Sequence, residues 1–100
     1  MDYRSEWTAG ALRKYRTILA RIAELDPVAA SRLNSAIGKK LALLRTFPLL
    51  AELFQRVAEG DIREAQVGNY RVFYLVISDD ALIKILRIQH ASMDERYFEN

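Results

Sequence analysis

The sequence predicts an α+β domain, with a short N-terminal strand, an antiparallel two-helix hairpin and then a three-stranded antiparallel meander. Apolar residues recur at three- and four-residue spacing through the first half of the chain, the helical period. After Gly60 they give way to runs rich in Val, Ile, Tyr and Phe. Turn-forming residues separate those runs, so helices and strands segregate along the chain instead of alternating.

Tyr3 to Trp7 is short and β-prone, and Thr8 behind it is a competent N-cap. Leu12, Tyr15, Leu19 and Ile22 form an apolar stripe, widened by Ile18 and Leu25, with Arg13, Lys14, Arg16 and Arg21 mainly opposite. The first helix is expected to end near Leu25. Asp26-Pro27 restarts a helix, because Asp caps it and Pro at its first position gives up an N–H that would be unpaired anyway. Val28, Leu33, Ile37, Leu41 and Leu44 carry the period on, and Pro48 stops it. Gly38 costs this helix about 1 kcal/mol against Ala. So brief a link makes the pair an antiparallel hairpin.

Leu49 to Ala58 is apolar at 49, 50, 53, 54 and 57, which predicts a short helical turn ending at Gly60. Ile62 to Val67, Tyr70 to Ile77 and Ala81 to Gln89 are predicted as strands. Gly68-Asn69 makes a two-residue hairpin loop and Ser78 to Asp80 the second turn.

At 100 residues the chain is expected to form one domain over 1–100, with 95–100 a candidate flexible tail. A hydrophobic content of 51% excludes a disordered chain. Zero cysteines exclude disulfides, thiolate metal sites and a Cys nucleophile. MDYRSEWTAG lacks the apolar core of a signal peptide, and no apolar run reaches the roughly 18 residues of a membrane span. A cytoplasmic location without membrane contact is the expectation. No metal-ligand spacing and no Gly-rich phosphate loop is present, so neither metal nor cofactor is expected.

The net charge of +2 conceals a division. Residues 1–45 hold nine basic and four acidic residues (+5), and residues 46–100 hold six and nine (−3). Eleven of the fifteen basic residues are Arg, which suits multidentate contacts with carboxylate or phosphate. A basic first half implies either a solvated helix surface or an acidic or nucleic-acid partner.

With Gly68-Asn69 as the first loop, Gln66 faces Arg71; with a three-residue second loop, Ile77 faces Ala81 and Arg71 faces Arg87. One sheet face then carries Ala65, Val67, Tyr70, Val72, Tyr74, Leu82, Leu86 and Ile88, the seat expected for the helices, with Arg63 and Lys84 toward one end. The other carries Phe73, Leu75, Ile77, Ile83 and Ile85, and gathers Glu64, Gln66, Arg71, Arg87 and Gln89 at its polar end. That end is either an Arg–Glu network or an anion site, and a one-residue slip at 78–80 separates the arginines. His90, the single histidine, sits at a strand end, where a polar terminus is commoner than a catalyst.

Four strings carry a family resemblance across residues 3–94. Asp26-Pro27-Val28-Ala29-Ala30-Ser31-Arg32-Leu33 and Arg45-Thr46-Phe47-Pro48 resemble the opening and ending of the second helix in the RelE/ParE toxin superfamily. Ile62-Arg63-Glu64 with Val67 to Tyr74 (VGNYRVFY) resembles its most characteristic string. Ile85 to Ala91 with Asp94 resembles its terminal motif. The resemblance implies a toxin of a type II toxin–antitoxin module, a plasmid stabilisation-type system that arrests growth.

Two branches follow from it. A RelE-like member is a ribosome-dependent mRNA endonuclease. Its candidate set here is Arg71, Arg87, His90 and Tyr97, two cations for the scissile phosphate and two groups to shuttle a proton. Against that branch, Glu64 and Gln66 stand where the nucleases place lysines, and Met93 replaces an Arg of the terminal motif. A ParE-like member inhibits DNA gyrase by binding, without catalysis, and this is the branch the residues favour. Its target-binding candidates are Arg63, Arg71, Arg87 and His90. A non-toxic scaffold is the third possibility. The resemblance also implies a cognate antitoxin whose acidic C-terminal segment wraps the toxin, with Arg13, Arg16, Arg21, Arg32, Lys39 and Lys40 as its candidate contacts. Tyr15, Leu19, Leu41 and Leu44 could take its apolar anchors only where they are not core, and most are expected to be core.

Overall fold

In the computed structural model, which describes residues 2–93, the helix hairpin turns on a single residue. Helix α1 (Ala9–Leu25) ends where the Asp26 N–H donates to the Ile22 carbonyl at 2.8 Å. The Asp26 carboxylate then accepts from the N–H groups of Val28 and Ala29, both at 3.1 Å, and caps α2 (Pro27–Thr46). Such a cap contributes about 1 kcal/mol. Thr8 caps α1 through the Ala11 N–H, as its position predicts. The Tyr15 hydroxyl donates to Asn34 Oδ1 at 2.7 Å and ties the two helices together.

The strands are β1 (Arg4–Trp7), β2 (Glu52–Val57), β3 (Gly60–Val67), β4 (Tyr70–Ile77) and β5 (Leu82–His90), in the sheet order β1-β5-β4-β3-β2. β1 runs parallel to β5 and every other pair is antiparallel. The predicted class, N-terminal strand, hairpin and meander are all present, and the meander gains a strand. Residues predicted as a helical turn before Gly60 contain β2 instead. A bulge between Leu53 and Gln55 leaves Phe54 unpaired and shifts the phase of its side chains. That shift gives a bulged strand the apolar spacing of a helix.

The register of β4 on β5 also departs from expectation. Ala81 adopts the left-handed conformation (φ 48°) behind a 3-10 turn at Ser78–Asp80, so Ile77 faces Leu82 rather than Ala81. A second extra residue, Leu86, lies in a bulge where Phe73 faces Arg87 and Tyr74 faces Ile85. Arg71 therefore faces Gln89, not Arg87. The half of β5 before the bulge is turned over: Ile83 and Ile85 face the helices, and Leu86 packs on the opposite side of the sheet.

Two helix-side clusters form the core. One joins Tyr15, Ile18, Ile37 and Leu41 to Val67, Val72, Ile85 and Ile88. The other joins Leu44 to Ala65, Tyr74, Val76 and Ile83. Burying each large aliphatic chain contributes about 1.5–3 kcal/mol, so bringing Ile88 to the helix side alongside Ile83 and Ile85 outweighs the ladder bond lost at the bulge. On the outer face Phe73, Ile62 and Leu75 make a third cluster with Phe54 and Val57.

Gly60 opens β3 against the backbone of β4. A Cβ there would lie 2.0 Å from the Val76 carbonyl oxygen, whereas one at Gly68, in the β3–β4 turn at φ 57°, would meet open space. Gly60→Ala is expected to cost about 3 kcal/mol, and Gly68→Ala only about 1 from backbone strain. Urea denaturation of both variants checks the order; equal losses would refute the close approach.

Candidate functional site

Alternation along β3, β4 and β5 divides the predicted site residues between the two faces of the sheet. Arg71, the second residue of β4, lies on the outer face between Gln66 on β3 and Gln89 on β5. Its Nε lies 3.7 Å from Glu64 Oε1, and its Nη1 donates to the Met93 carbonyl at 3.2 Å. Arg87 shares that face further along β5, its guanidinium carbon 5.9 Å from the centre of the Phe73 ring. The arginines are thus on one face but not opposite each other, and Arg71 is paired with a carboxylate.

His90 belongs to the other face. It stands across from Tyr70, the rings edge to face at 5.3 Å, and both border α1. The His90 Nδ1 accepts the Ser92 backbone N–H at 3.1 Å, with the Ser92 hydroxyl 2.8 Å away. Tyr97 lies outside the described residues, as does Asp94 of the terminal motif.

Arg63 points inward and is held through both terminal nitrogens, while its buried Nε has no hydrogen-bond partner among the described residues. Its Nη1 donates to the carbonyls of Leu49 (3.1 Å) and Ala51 (2.8 Å), and its Nη2 reaches Asp61 Oδ2 at 3.1 Å. The Tyr74 hydroxyl donates to the Pro48 carbonyl at 2.8 Å. Together they fasten the loop between α2 and β2 to the sheet. Burial pushes the Tyr74 hydroxyl up to about 12, against the opposing pull of the Ala51 backbone and Arg63.

The hairpin cations are arranged differently. Arg13, Arg16 and Arg21 are exposed on α1, and Arg32 and Lys39 border a shallow groove of about 500 Å³ along α2 with Val28, Ser31 and Ser35. Lys40 lines a smaller one, about 150 Å³, beside Leu44, Leu50 and Glu64. None of the six is ion-paired with a described residue; the carboxylate pairs go to Arg4, Arg56, Arg63 and Arg71. Tyr15, Leu41 and Leu44 are core, as expected, so they offer no anchor site on the hairpin. A groove of about 180 Å³ does open beside α1, between Lys14, Ile18, Arg21 and Ile22 on the helix and Tyr70, Gln89, His90 and Met93 at the strand ends. Sequence reasoning named Arg21 and His90 in separate roles and missed Lys14 and Tyr70. The signal was the spacing of Lys14, Ile18, Arg21 and Ile22 on one flank of α1.

Among the described residues no group of His, Asp and Glu could hold a metal ion, and no helix is long and apolar enough to cross a membrane. A model of the ParE toxin of the type II toxin–antitoxin system parDE matches residues 5–95. The chain belongs to the ParE toxin family. It is therefore a type II toxin of the RelE/ParE superfamily. No curated protein matches it in sequence. Solved structures share the fold. The chromosomal ParDE system of P. aeruginosa superposes with a TM-score of 0.70 at 19% identity, over 90% of this chain and 97% of that one. The archaeal RelE–RelB complex of Pyrococcus horikoshii gives 0.67 at 21% identity, over 94% and 100%. The intact E. coli RelBE complex gives 0.61 at 18%, over 91% and 99%.

Within this ParE family chain the Tyr74 contact predicts an alkaline effect. The folded Tyr74 pKa lies above the ordinary 10, so the unfolded chain loses that proton first. The stabilising contribution is complete below pH 10 and disappears as pH rises toward about 12. Tyr74→Phe is expected to cost about 1 kcal/mol at neutral pH and to flatten this decline. It leaves the part due to Tyr15, which burial also raises. Urea midpoints across that pH range check it, and parallel curves for the two proteins would contradict it.

Proposed function

We propose that this ParE family toxin inhibits DNA gyrase by binding it, in the cytoplasm, without cleaving RNA, and that a cognate antitoxin neutralises it. The observation carrying this reading is the partition of the sheet. RNA cleavage from a 2′-hydroxyl needs a base and an acid within hydrogen-bond reach of the same phosphate that the cations hold. Here Arg71 and Arg87 occupy the outer face while His90 is on the inner one. Glu64, 3.7 Å from Arg71, adds a negative charge where phosphate would sit. The two outer arginines favour the RNA-cleaving alternative only as far as anion binding.

The antitoxin reading rests on the hairpin. Its six candidate cations have no ion-pair partner among the described residues, and α2 contains no acidic residue at all. Leu25 is 92% exposed and Phe47, Leu49 and Leu50 more than half exposed, large apolar surfaces that a partner would cover. An acidic segment that folds as it binds supplies both complements.

Gyrase supercoiling and ribosome-dependent mRNA cleavage, assayed side by side with purified toxin, test the target. At micromolar toxin, supercoiling is expected to stop and mRNA to stay intact. Untouched supercoiling alongside cut mRNA, with cutting abolished in Arg71→Ala, would reverse the assignment. Expression without the antitoxin is expected to arrest growth, and normal growth would point to a scaffold.

A further inference from the structure

We infer that the groove between α1 and the ends of β4 and β5 is the anchor site for an acidic peptide, taking one apolar side chain between Lys14 and Arg21. The inference rests on the antitoxin reading and gives that partner a place and a chemistry. The floor is apolar: Ile18 is 9% exposed and Ile22 is part of the same cluster. The end wall is the Tyr70–His90 ring pair. Its position is fixed by the β3–β4 turn, where the Ala91 N–H donates to the Asn69 carbonyl at 2.7 Å. Lys14 and Arg21 stand on the α1 side, two turns of helix apart, and neither is paired with a described carboxylate.

Size selects the occupant. The groove measures about 180 Å³. Pockets for cofactors or nucleotides run about 300–1,000 Å³, whereas a cavity of about 150 Å³ accepts one benzene. One aliphatic or aromatic side chain therefore fills it, whereas a nucleotide would leave most of its surface outside. Duplex DNA would use the two cations but leave the apolar floor uncovered, because its phosphates make only polar contacts. A peptide with one apolar residue flanked by carboxylates uses both. No described carboxylate lines the groove to repel it.

The test uses the antitoxin encoded beside this chain and the double variant Lys14→Glu/Arg21→Glu, exposed helix positions that leave the core intact. Affinity is expected to fall about 30-fold or more, with Lys84→Glu, half that charge change on the outer face, within about threefold. His90 is the only histidine, so its ring resonance in NMR reports the groove alone. It is expected to shift with a synthetic Asp/Glu peptide containing one central Leu, and not with the same peptide containing Ser. Wild-type affinity in the double variant, with the antitoxin still neutralising, would overturn the groove and leave the antitoxin reading standing. Failure of the antitoxin to bind the unaltered toxin would overturn both. A His90 shift produced by duplex DNA and not by the Leu peptide would reassign the groove to nucleic acid.

Discussion

The ladder between β4 and β5 holds one more residue on β5 than on β4, and that surplus at Leu86 decides which side chains reach the helices. Without the bulge, the four-residue connection through Ala81 would set one face for the whole of β5. Ile83 and Ile85 would still meet α1 and α2, but Ile88 would be turned outward and Gln89 inward. With it, Ile83, Ile85 and Ile88 all join the helix-side clusters, and Gln89 stays opposite Arg71 on the outer face. Packing thus enforces the irregularity: the burial of Ile88, at about 1.5–3 kcal/mol, exceeds one ladder bond at about 1.

The same surplus governs the charges. Without it Arg87 would turn toward the helices; with it Arg87 comes to the face of Arg71 and lies against Phe73, while Glu64 stands 3.7 Å from Arg71. It also fixes His90 beside Tyr70 on the other face. Carboxylates in the second half of the chain serve arginines there, Asp61 for Arg56 and Arg63 and Glu64 for Arg71. Arg13, Arg16, Arg21, Arg32, Lys39 and Lys40 on the hairpin have no ion-pair partner among the described residues. Among the described residues the +5 and −3 halves of the sequence therefore behave differently: the sheet balances much of its charge internally, and the hairpin does not.

Where local chemistry suffices, the sequence was legible. Thr8 and Asp26 cap helices because a short acceptor side chain next to free N–H groups needs no tertiary partner, and Pro27 and Pro48 act through their own rings. Gly68-Asn69 set the first hairpin register correctly. What failed was phase. In Leu82 to Ile88 only Lys84 and Arg87 interrupt the apolar run, so its alternation cannot reveal a bulge, and Ala81 has no composition that signals a left-handed residue. Phe54 disguised β2 in the same way. Site residues inherited the error. Arg71 and Arg87 were placed on the correct face but in the wrong pairing, Arg63 proved to be a clamp for a loop, and the groove beside α1 needed β4 and β5 in their true register before Tyr70 and His90 could be seen as its wall.

Distributed charge around a small apolar slot divides the work of binding. Exposed cations on α1 and α2 act over about a Debye length, 8–10 Å at ordinary ionic strength, and speed encounter with an acidic chain more than they prolong its stay. A side chain seated on Ile18 and Ile22 does the opposite, since dissociation must return that apolar area to water. High salt should therefore slow association with the hairpin while leaving dissociation governed by the slot. On the proposed reading that separation suits a domain of 100 residues whose core is already committed to holding helices on a sheet: affinity would come from one small groove at its edge, and selectivity for an acidic partner from cations that no described carboxylate pairs.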